Sequence, residues 1–93
     1  MVKVRAEAKG DGWVCEVHVD HAGVHTRHVV TVSRADLDRW GGGTEREDVE
    51  TLVARSFDFL LERESASAIL TRFDLSVIRR YFPEYDSAFR RRR

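Results

Sequence analysis

Between Val2 and Val32 apolar side chains recur at every second position. Between Val49 and Leu61 they recur at intervals of three and four. A period of two belongs to strands with one buried face, and a period near 3.6 to a helix with one buried stripe. The pattern predicts an α+β fold. A three-stranded antiparallel meander occupies about 2–9, 13–20 and 24–32, with one face covered by C-terminal helices.

The two turns of the meander test each other. Gly10-Asp11 and Ala22-Gly23 both read as two-residue hairpin loops. The first sets Ala8 opposite Trp13, Ala6 opposite Cys15, Val4 opposite Val17 and Val2 opposite Val19. The second sets Val19 opposite Thr26, Val17 opposite His28, Cys15 opposite Val30 and Trp13 opposite Val32. Both registers gather apolar residues on the same face, whereas a slip of one residue would bring His25 and Arg27 among them. The other face carries Lys3, Arg5, Glu7, Lys9, Glu16, His18, Asp20, His25, Arg27 and Thr31, with Val14 and Val29 as apolar neighbours among the charges. It reads as a solvated face, or as a docking surface centred on the two valines. The first and third strands are expected to be the sheet edges, open to self-association.

Helix signals begin at Ser33. Ser33-Arg-Ala-Asp36 resembles a capping box and opens a short helix, about 34–40, that ends at Gly41-Gly42-Gly43. Thr44-Glu-Arg-Glu47 reads as a second capping box opening the main helix, about 45–63. Its stripe contains Val49, Leu52, Val53, Ser56, Phe57, Leu60 and Leu61, with Phe59 at the edge. Further on, the spacing predicts a short helical turn at about 68–72 and, capped by Asp74, a helix at about 75–81. Pro83 disfavours helix at Phe82 and is suited to start another, about 84–91. Tyr85 and Phe89 are expected to be exposed aromatics. Residues 1–93 read as one domain, with 86–93 as an arginine-rich tail.

Composition narrows the function classes. Sixteen Lys and Arg balance sixteen Asp and Glu, so no global field draws the chain to nucleic acid or to an anionic membrane. Any such binding needs a local patch. Cys15 is the only cysteine, which rules out an intrachain disulfide and fits a reducing compartment. No apolar run approaches the roughly 18 residues of a membrane span, and the start reads as a strand rather than a signal peptide. A cytoplasmic protein with no membrane partner is expected.

Candidate chemistry is sparse. His18 and His25, diagonal on the outer face with Asp20 beside them, are suitable metal ligands, set against an ordinary polar strand face. His28 points inward and reads as a core-edge histidine bonded to a helix terminus. Arg90, Arg91, Arg92 and Arg93, joined by Arg79 and Arg80, form a basic cluster able to contact phosphates, set against a solvated tail. The helix-turn-helix spacing is not met around Phe73-Asp-Leu-Ser-Val-Ile78. Gly41-Gly-Gly-Thr44 lacks the lysine of a phosphate-binding loop. Cys15 and Ser56 read as core residues. No cofactor is implied by any motif.

The block Leu52-Val-Ala-Arg-Ser-Phe-Asp-Phe-Leu-Leu-Glu-Arg-Glu64, with Ala68-Ile-Leu70, Phe73-Asp-Leu75, Val77-Ile78 and Arg80-Tyr-Phe-Pro-Glu-Tyr85, resembles a small uncharacterised bacterial family of α+β proteins. The resemblance spans Val49 to Tyr85. It implies a bacterial source and transfers no catalytic residues. The sequence therefore points first to a non-enzymatic accessory or interaction domain with a protein partner or a second copy. A nucleic-acid binder using the arginine cluster is the alternative.

Overall fold

Two left-handed turns set the sheet. The computed structural model describes residues 1–90. Strands β1 (Val2–Lys9), β2 (Gly12–His21) and β3 (Val24–Val32) form the antiparallel meander, in the register that the turn spacing predicts. Gly10 alone has positive φ in the first loop (+59°), the pattern of a type II′ turn. In the second loop Ala22 (+53°) and Gly23 (+78°) both do, as a type I′ turn requires. The inward face buries Ala6, Cys15, Val17, Val19, His28, Val30 and Val32, with Trp13 packed partly buried against this core.

Helix α1 (Arg34–Trp40) starts where expected, with Ser33 Oγ accepting from Asp36 N at 3.1 Å. Helix α2 (Arg46–Leu61) starts one residue later than the Thr44 signal implies. Glu45 is its N-cap, and Asp48 Oδ2 accepts from Glu45 N at 3.0 Å. Gly43 leaves the space that this carboxylate fills. α2 buries Val49, Leu52, Val53, Ser56, Phe57, Phe59 and Leu60 and packs chiefly against β1. Phe59, at the edge of the sequence stripe, is thus a core residue.

The chain departs from expectation after α2. In place of a helical turn at 68–72, a 3-10 turn at Ala66–Ala68 leads into a fourth strand, β4 (Arg72–Asp74). β4 lies parallel to β3, with Phe73 beside Val30, so the sheet order is β1-β2-β3-β4. The third strand is therefore not a free edge between Val29 and Thr31. Three residues are too few for a period of two to register in the sequence, and the pairing is set by burial of Phe73. Asp74 does not cap a helix at Leu75. Its Oδ2 accepts from Ser76 N at 3.1 Å and Ser76 Oγ at 2.5 Å, and helix α3 (Val77–Tyr81) begins after that turn.

Pro83 then starts helix α4 (Glu84–Phe89), which folds back onto α1 and α2. Tyr85 and Phe89, expected to be exposed, are buried. Their rings stack at 4.3 Å, and Phe59 and Trp40 meet Tyr85 edge-on at 5.3 and 4.9 Å. Residues 86–89, read from the sequence as the beginning of a tail, complete this helix. The aromatic cluster explains the reversal. Rings with charged neighbours along the chain look surface-exposed until a partner cluster is known, and Phe59 and Trp40 come from two other helices. Among the described residues no helix is long and apolar enough to cross a membrane.

Candidate functional site

An apolar groove opens where α2 ends, beside β4 and α3. It encloses about 200 Å³. Its floor is built from the buried side chains of Leu60, Ile69, Phe73 and Ile78, and its rim from Leu70 and Tyr81, which are 48% and 68% exposed. Glu64 is the one charged residue lining it. Local structure explains the split between floor and rim. Ile69 turns inward after the 3-10 turn, and its extended neighbour Leu70 points outward.

His28 braces this rim. Its Nδ1 lies 2.7 Å from the Leu70 carbonyl and its Nε2 lies 2.8 Å from Thr26 Oγ1. A carbonyl only accepts, so Nδ1 carries a proton, and in the neutral ring Nε2 accepts from the threonine hydroxyl. The ring also packs on Phe57 at 5.1 Å. The partner of this buried histidine is thus the carbonyl of an extended segment rather than a helix terminus. Nδ1 thus ties β3 to the groove rim, while Nε2 is engaged within β3 itself.

The outer face of the sheet carries the residues singled out as metal ligands. His18 Nε2 turns to Glu16 Oε1 at 3.2 Å, whereas His25 Nε2 faces Asp20 Oδ1 at 3.8 Å. The structure thus brings Asp20 and His25 together and draws His18 away to another carboxylate. Among the described residues no group of three His, Cys, Asp or Glu side chains is placed to hold a metal ion. The Glu16 carboxyl is held below its ordinary range, first by the His18 hydrogen bond and then by Arg5 and Arg27. A concavity of about 520 Å³ runs over this region, lined by Lys3, His18, Asp20, His25, Thr26 and Arg27 among others. Val14 and Val29 border a smaller hollow of about 90 Å³ with Arg5, Glu7 and Glu16.

The arginine cluster is divided. Arg79 lies over the Trp40 ring, 5.8 Å from its centroid. Arg90 pairs with Asp86 at 2.5 Å, and Asp86 also accepts from Trp40 Nε1 at 2.9 Å. The Asp86 carboxyl is lowered by that indole hydrogen bond first and by Arg90 next. Arg80 is exposed on α3. Arg91, Arg92 and Arg93 lie outside the described residues.

The remaining nucleophile candidates are enclosed. Burial, with a smaller contribution from Glu50, pushes the Cys15 thiol up to about 12. Ser56 Oγ donates to the Leu52 carbonyl at 2.7 Å and meets the Tyr85 hydroxyl at 2.7 Å. Sequence reasoning missed the groove because it depends on β4. The hairpin register, by contrast, already aligned Lys3, His18 and Arg27 across the sheet, and that signal was legible. Comparison of the chain with models of protein families, with curated proteins and with solved structures finds no match.

Proposed function

We infer that this chain is a small non-enzymatic interaction domain of a bacterial cytoplasm, docking a protein partner in the groove between α2, β4 and α3. One observation carries the reading. Of the four large apolar side chains exposed among the described residues, two, Leu70 and Tyr81, border the same groove. Aromatic anchors in apolar pockets dominate the energetics of protein interfaces. Glu64 at the rim favours an occupant that presents a basic residue next to an aliphatic or aromatic one. The engagement of Arg79 and Arg90 at Trp40 and Asp86 favours this reading over one built on the arginine cluster.

Selection of a displayed random-peptide library on the whole chain tests it. The expected result is a consensus pairing an apolar residue with Lys or Arg, whose binding is lost in the Leu70→Ser/Tyr81→Ser variant and weakened by Glu64→Gln. Peptides that bind the double variant equally, or no consensus at all, overturn the reading. Concentration-dependent dimerisation abolished by Tyr81→Ser would place a second copy in the groove instead of a foreign partner.

A further inference from the structure

We propose that the outer face of the sheet binds the phosphate group of a small phosphorylated ligand, held by Lys3 and Arg27 on either side of His18. The register sets Lys3 opposite His18 on β2, and His18 opposite Arg27 on β3. Three basic side chains thus stand in one row across three strands. In the rows on either side Arg5 stands opposite Glu16 and Asp20 opposite His25, whereas this row holds no acid.

Among the described residues neither Lys3 nor Arg27 makes a direct ion pair. Arg27 acts on Glu16 only at longer range, and the carboxylates of Glu16 and Asp20 face His18 and His25 instead. Adjacent strands lie about 4.8 Å apart, so Lys3 and Arg27 are rooted about 10 Å from each other. Both side chains are long enough to converge above the shorter imidazole. An ammonium and a guanidinium meeting over an imidazole that turns its Nε2–H from Glu16 to the ligand match the oxygens of one phosphate, to which such charge-assisted bonds are strongest. The same arrangement repels a metal cation, which would meet Lys3 and Arg27 before reaching His18.

The size of the concavity favours a small ligand. Its volume of about 520 Å³ falls within the range of roughly 300–1,000 Å³ for small-molecule sites. The chain as a whole is electrically balanced, so it lacks the broad basic field that a nucleic-acid backbone exploits. This inference is independent of the groove, whose lining shares no residue with that of the concavity.

Titration of the whole chain with inorganic pyrophosphate, followed by amide and histidine NMR shifts, provides the test. Saturable shifts are expected at Lys3, His18 and Arg27. Lys3→Gln and Arg27→Gln should each weaken binding about tenfold, Glu16→Gln should tighten it, and Arg80→Gln should leave it unchanged. Circular dichroism confirms that each variant folds. No saturable shift up to about 10 mM, a concentration above any specific weak affinity, overturns the proposal. So does an equal loss in Arg80→Gln, which would mean diffuse screening. A single-stranded oligonucleotide serves as the second arm. If it binds the same row much more tightly than pyrophosphate, with a steep salt dependence, the phosphate source is nucleic acid and the small-ligand form fails.

Discussion

The Tyr85 hydroxyl lies 2.7 Å from Ser56 Oγ inside the core, joining α4 to the centre of α2. Ser56 Oγ donates its own proton to the Leu52 carbonyl, so the tyrosine is the donor in this bond. That order makes the two single variants unequal. Tyr85→Phe removes one hydrogen bond and leaves Ser56 with a partner, at about 1 kcal/mol. Ser56→Ala strands a buried hydroxyl and should cost about 1–3 kcal/mol. Urea unfolding of both variants and of the double variant checks the ranking. In the Tyr85→Phe background, Ser56→Ala should cost much less than it does alone. Equal single effects would mean that the hydroxyl finds another partner.

Glu50 closes part of the free edge of β1. Its Oε2 accepts from Ala6 N at 2.9 Å, an amide that points away from β2 toward the open side of the sheet. Unpaired edge amides are templates for a strand from another molecule. Glu50→Ala should therefore lower stability by about 1–3 kcal/mol, through a part-buried donor left without a partner. It should also produce concentration-dependent association in sedimentation experiments. An unchanged monomer with unchanged stability would show that the carboxylate does not protect the edge.

Ala22 occupies a left-handed conformation, φ +53°, at the first central position of its turn. That geometry costs an ordinary L-residue about 1–2 kcal/mol, and asparagine tolerates it better. Ala22→Asn should raise the thermal midpoint by roughly 4–8 °C per kcal/mol recovered in a domain of this size. Differential scanning calorimetry reads this directly. A lower midpoint would contradict the turn geometry.

Acid should loosen the junction of α1 and α4. The Asp86 carboxyl is lowered in the folded chain, first by the Trp40 indole and next by Arg90. A depressed folded pKa contributes stability above the unfolded value, near 3.9, and that contribution is lost as pH falls through the folded value. Glu16 and Glu84 are also lowered and act in the same direction. Asp36 works oppositely: burial raises its pKa, so its ionised form opposes folding and protonation relieves it. Asp86→Asn should flatten, without abolishing, the fall in the urea midpoint below about pH 4. Trp40 fluorescence should report the change. An acid limb as steep as in the parent chain would remove Asp86 from the account.

Legibility in the sequence followed the length of each element. Strands of eight to ten residues carry several turns of a two-residue period, so their register could be read to the residue. The sixteen-residue α2 was legible for the same reason, with its cap misplaced by one position because Asp48 and Glu47 are both plausible acids. β4 has three residues and α3 five, too short for periodicity to outweigh local ambiguity. Phe73 gave no sign that it would lie beside Val30, because that contact is decided by the sheet and not by its neighbours in sequence. The groove inherits this limit, since Phe73, Ile69 and Tyr81 meet only after β4 has docked. The row of basic residues on the outer face needed nothing beyond the hairpin register.

β4 joins β3 across a separation of 43 residues, Thr31 to Asp74. During synthesis the hairpins leave the ribosome long before their last neighbour exists. Between the emergence of Val32 and that of Asp74, the nascent sheet exposes the flank of β3 with Val30 awaiting Phe73. Such distant pairings are slow to form, and unpaired strands in a growing chain invite aggregation. The interval in which the growing chain is most open to aggregation is therefore set by its topology, and it ends when residue 74 arrives.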